Sequence, residues 1–92
     1  MTTEVSAILD ERGKRYGTFK GHAAIAQMLK VIVKNELLCR NKTLAFDQQE
    51  ALDMIMHKVA RIINGDANYV DSWIDIAGYA KLVADNLEGV EK

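Results

Sequence analysis

The chain has 92 residues, 12 basic and 13 acidic side chains, and a formal net charge of −1. That length allows one domain, residues 1–92, with a single small core whose thin margin an oligomer would relieve. The near-neutral balance gives no strong nucleic-acid field, no run approaches the ~20 apolar residues of a membrane span, and the lone Cys39 excludes an internal disulfide and suits a reducing cytoplasm.

The N-terminal MTTEVSAILDERGKRYG has no apolar signal-peptide run. Val5, Ile8 and Leu9 recur at helical spacing, which predicts a first helix from about Thr3 to Arg15. Gly17 and Gly21 read as breakers. A second helix is expected from about His22 to Leu38, with Ile25, Met28, Leu29, Ile32, Val33 and Leu37 as its apolar face. CRNKTLAF reads as the longest loop. Asp47 and Glu50 have capping-box spacing, and Phe46 stands at the position of a hydrophobic staple.

The third helix places Leu52, Ile55, Met56, Val59, Ile62 and Ile63 on one side. Glu50, Asp53, Met54, His57 and Arg61 fall on the other, with Lys58 at the border. Asn64-Gly65 predicts its end through a left-handed glycine. A fourth helix is expected from near Asn68, with Trp73, Ile76, Ala77, Ala80, Val83, Ala84 and Leu87 as its core stripe and Trp73 as a packing residue. Its opposite side carries Asp71, Asp75, Gly78 and Leu82, flanked by Ile74 and Tyr79. A helix apolar on more than one side is often covered twice. The absence of proline suits these long helices.

Two groups of residues carry possible chemistry. Glu50 and Asp53 share one helix face, as do Asp71 and Asp75 on the next. Four carboxylates on adjacent helices are suited to Mg²⁺ and a substrate phosphate. The competing reading makes them caps and solvated charges. The basic group is His57, Lys58 and Arg61, joined by Arg12, Lys14, Arg15 and Lys20. Lys58 and Arg61 are the expected phosphate-binding residues, against an equally weighted reading as an ion-pair surface. Tyr16 and Tyr69 are placed to stack on a base, with ordinary packing the more frequent role of such residues. His22 reads as structural, and no nucleophile accompanies His57.

RYGTFKGHAAIAQ, HKVARIINGD and DSWIDIAGYAKLV resemble the motifs of a family of short phage and prophage helical proteins of unknown function. More distantly, the layout is similar to the MazG-like all-α nucleotide pyrophosphohydrolases. That resemblance implies an ExxE pair and an ExxD pair holding Mg²⁺, cleavage of nucleoside triphosphates, and dimers or tetramers. Glu50 and Asp53 match the first pair in spacing, and Asp75 stands for the final Asp. Asp71 is one residue out of register, and Ser72 occupies the expected acidic position.

The expectation is therefore an all-α bundle of about four helices with a MazG-like helical pair, forming a homo-oligomer in a bacterial cytoplasm. It binds, or hydrolyses with Mg²⁺, a nucleotide or other phosphate-bearing small molecule. A different class of reading is a non-catalytic phage protein that docks on a host or defence component.

Overall fold

A computed structural model describes residues 3–90. Four helices follow one another: α1 (Thr3–Tyr16), α2 (Phe19–Cys39), α3 (Phe46–Asn64) and α4 (Val70–Leu87). No strand occurs among the described residues. The fold is a small all-α bundle built around α3, with α2 on one side, α4 on the other, and α1 against the ends of α2 and α3. Among the described residues α2 and α4 do not pack on each other, so the bundle is open.

Small residues let α3 serve two neighbours. Ala51 and Ala60 are buried, together with Met56, and Ala26 of α2 joins them. From α2, Ile25, Leu29, Val33 and Leu37 are half-buried, at the i, i+4, i+8 spacing of a packed face. Met28 and Ile32, expected on that face, are 60% and 62% exposed, because they sit on its flank.

The fourth helix turns a different side inward from the one its hydrophobic pattern predicts. Ser72 is buried, and Ile76, Tyr79, Val83 and Asn86 follow it toward α3. Ile76 and Val83 keep their predicted place. Trp73, Ala77, Ala80, Ala84 and Leu87 face outward, with Trp73 54% and Leu87 71% exposed. Trp73 is not a core residue; its indole N–H donates to the Ala67 carbonyl at 2.9 Å and ties down the turn before α4.

The helix ends also depart from expectation. α2 begins at Phe19, ahead of both His22 and Gly21, because Thr18 caps it and its Oγ1 accepts from the Gly21 N–H at 3.1 Å. α3 begins after Ala45, whose N–H donates to the Gln48 side chain at 3.0 Å. Glu50 takes no part in that cap. Phe46 is 96% exposed and forms no staple among the described residues. No helix is long and apolar enough to cross a membrane among the described residues.

Candidate functional site: an arginine–tyrosine groove

Asn64, the last residue of α3, builds the site by holding the α1–α2 corner. Its Nδ2 donates to the carbonyls of Tyr16 at 2.7 Å and Thr18 at 2.8 Å. The Asp66 N–H then donates to the Arg15 carbonyl at 2.7 Å. The backbones approach so closely that side chains have no room. A Cβ on Gly17 would strike the Asn64 carbonyl oxygen, and one on Gly65 would strike the Arg15 carbonyl. Gly17 also has φ +76°, a conformation that favours glycine. Gly65 has φ −130°, so close approach, rather than a left-handed backbone, is what requires glycine there. RYGTFKGH and ARIINGD are thus two halves of one joint.

The joint brings α1, the end of α3 and the turn before α4 to one groove of about 440 Å³. Arg61 lies over the Tyr16 ring at 4.1 Å, and Arg15 over the Tyr69 ring at 4.4 Å. The two tyrosine rings meet edge to face with centroids 6.0 Å apart. Arg12 lines the same groove. Arg15 pairs with Glu11 at 2.9 Å. Arg12 and Arg61 have no carboxylate partner among the described residues. Guanidinium groups fixed on aromatic faces and left without a counter-charge can receive phosphate or carboxylate through paired N–H donors.

Beside this groove, His22 of α2 and His57 of α3 face each other, with Nε2 and Nδ1 3.1 Å apart and the rings edge to face. Burial, chiefly, drives the His57 pKa down to about 4, helped by His22, Arg61, Lys58 and Lys30. Burial and then Arg61 also hold His22 below its ordinary value. Both rings are neutral near pH 7. The contact spans 35 residues of sequence, so no local spacing rule reveals it.

The expected acidic residues are dispersed. Asp53 accepts from Gln49 at 3.1 Å and faces the α2 side, where it lines a groove with Lys30 and Lys34. Glu50 is exposed. Asp71 accepts from the Tyr69 hydroxyl at 2.8 Å, and this hydrogen bond raises the phenol pKa. Asp75 pairs with Lys58 at 3.1 Å across α3 and α4. No three His, Cys, Asp or Glu side chains among the described residues are gathered closely enough to hold a metal ion. Mg²⁺ keeps a near-octahedral oxygen shell, part of it water and substrate phosphate, and the described residues gather no carboxylate cluster toward that shell. Of the two residues expected to bind phosphate, Arg61 lies in the groove, whereas Lys58 is 12% exposed and engaged with Asp75.

Neither a curated protein nor a solved structure matches the chain. One family model does, over residues 1–87, nearly the whole sequence and every element of the groove. The chain therefore belongs to the family described as the domain of unknown function DUF6378.

Proposed function

We propose that this protein binds a phosphate-bearing small molecule, most simply a nucleotide, in the arginine–tyrosine groove. The observation that carries the reading is the stacking of Arg61 on Tyr16 beside Arg12, two guanidinium groups that no carboxylate neutralises among the described residues. Arg15 on Tyr69 extends the same wall. The ligand class agrees with the resemblance to MazG-like pyrophosphohydrolases and with a phage protein acting in a bacterial cytoplasm. No hydrolytic step is assigned, because Glu50, Asp53, Asp71 and Asp75 do not meet within one chain. Calorimetric titration with inorganic pyrophosphate and a nucleoside triphosphate, with and without Mg²⁺, tests the reading. Arg61→Ala is expected to weaken binding by about tenfold or more, the scale of a lost charge-assisted hydrogen bond. Lys34→Ala, outside the groove, is expected to leave it unchanged. Equal affinities for wild type and Arg61→Ala would remove the groove's role.

The working unit is proposed to be a homo-oligomer, most simply a C2 dimer. The accessible surface is 6865 Å², whereas a folded monomer of this mass exposes roughly 5,400 Å². The excess exceeds the roughly 800 Å² that each partner gives to an ordinary interface. The radius of gyration, 15.5 Å, likewise exceeds the ~12 Å of a compact chain of this length. The outward stripe of α4, with Val70, Trp73 and Leu87 separated by Ala77, Ala80 and Ala84, is the face assigned to a second copy. Trp73→Glu should yield a monomer by light scattering where the wild type is larger. A monomeric wild type that captures a host component through this stripe would favour the interaction-protein reading.

A further inference from the structure

A second cavity, of about 390 Å³, opens from the groove just described. Arg12, Tyr16 and Arg61 line both, so the two spaces share a wall. Their chemistry differs. The first is flanked by three arginines. The second is walled by Leu9, Phe19 and the facing rings of His22 and His57. Phe19 is 80% exposed, although it stands at the first turn of α2, and its ring lies 6.1 Å from that of His22.

The hydrogen-bond inventory sets the polarity of this cavity. Nδ1 of His22 is buried without a partner, and it is the one such side-chain N or O among the described residues. One proton joins His22 to His57. A buried N–H without an acceptor is rarer than a bare acceptor, so the favoured arrangement has His22 Nε2–H donating to His57 Nδ1. His57 then carries its own proton on Nε2 and offers a donor. That nitrogen makes no hydrogen bond among the described residues and is not enclosed. A cation between the two rings is disfavoured by Arg61, Lys30 and Lys58 nearby.

We infer that the second cavity is a pocket for an uncharged heteroaromatic ring, the nucleobase of a nucleotide whose phosphates lie in the arginine–tyrosine groove, with Phe19 as its stacking surface and His57 as its hydrogen-bond donor. The inference rests on the proposed function and extends it from phosphate binding to base recognition. Stacking on an aromatic side chain is tolerant of base identity. The donor on His57 selects rings that present an acceptor, such as a ring nitrogen or carbonyl.

The test compares inorganic pyrophosphate, ribose 5-phosphate and a purine and a pyrimidine nucleoside 5′-monophosphate by calorimetry. Wild type is expected to bind at least one nucleotide about tenfold or more tighter than ribose 5-phosphate, the scale of one stacked base. Phe19→Ala alters an exposed side chain and so leaves the fold intact. It should remove most of that preference and leave the pyrophosphate affinity unchanged. His57→Phe, which keeps a ring but has no donor, should do the same, and proton–nitrogen spectra of the wild-type imidazoles should show a nucleotide-dependent shift at His57 Nε2. Nucleotide and ribose 5-phosphate bound alike, or a Phe19→Ala protein with undiminished preference, would overturn the base pocket while leaving phosphate binding standing. Failure of every phosphate compound to bind would overturn both.

Discussion

The joint at Asn64 and the outer face of α4 are built on opposite principles. At the joint, backbone meets backbone, two glycines have no space for a side chain, and one amide satisfies two carbonyls. On α4, Trp73, Ile74, Leu82 and Leu87 stand in the open, and a Cβ at Gly78 would touch nothing within 4 Å. The joint is complete within one chain and fixes the arginines and tyrosines of the groove. The outer face of α4 meets no other helix among the described residues, and it is the face proposed to receive a second copy. Packing closed within the chain and an exposed apolar face respond differently to mutation.

The contrast is broken most sharply at Gly17. Alanine there would combine a left-handed backbone with overlap against the Asn64 carbonyl, and we expect a loss of about 3 kcal/mol or more in chemical denaturation. Asn64→Ala leaves the Tyr16 and Thr18 carbonyls without their shared donor, and should cost about 2–3 kcal/mol. It should also release Tyr16, seen as weaker phosphate binding at temperatures where the chain remains folded.

Acid acts on the joint's neighbour. The folded pKa of His57 lies near 4, against an ordinary 6.5, and His22 is displaced in the same direction. Between those values the unfolded chain holds more protons than the folded one, so stability rises with pH there. It is fully present above pH 6.5 and falls as pH drops toward 4, with a contribution from His57 of at most about 3 kcal/mol. His57→Gln should flatten that part of a melting-temperature profile.

On the open face, Trp73→Ala should cost the isolated protomer only about 1 kcal/mol, for the bond to Ala67. A larger loss that grows with protein concentration would locate Trp73 in an interface. The smallest effect is expected at Gly13, which lies within α1 with nothing within 4 Å of an added Cβ. Gly13→Ala should stabilise by about 0.5–1 kcal/mol through helix propensity.

The four helices were legible because periodicity and breakers act locally. The side that α4 turns inward was not. Its apolar residues cover more than one face, and periodicity cannot say which face meets α3 and which stays exposed. Buried Ser72, flanked by Trp73, runs against the usual association of bulk with burial. The place of Arg61 away from the apolar side of α3 was legible from charge and period, and it lines the groove. Lys58 was named with it, but an opposing Asp75 on another helix engages it. The joint left a trace in two glycines four apart in RYGTFKGH and in the Asn64-Gly65 pair. Read singly, these are breakers and a cap; only their meeting across the chain shows that they interlock. The same limit hid the contact of His22 with His57.

Phosphate binding in the arginine–tyrosine groove, as proposed, is open to a direct test. Backbone amide shifts followed by NMR during titration with inorganic pyrophosphate give the most direct answer. Binding in the groove should give saturable shifts concentrated at Arg12, Arg15, Tyr16, Arg61 and Tyr69, with the outer face of α4 unmoved. Saturable shifts centred on Glu50, Asp53 and Asp75, appearing only with Mg²⁺, or no saturable shift at all, would contradict it.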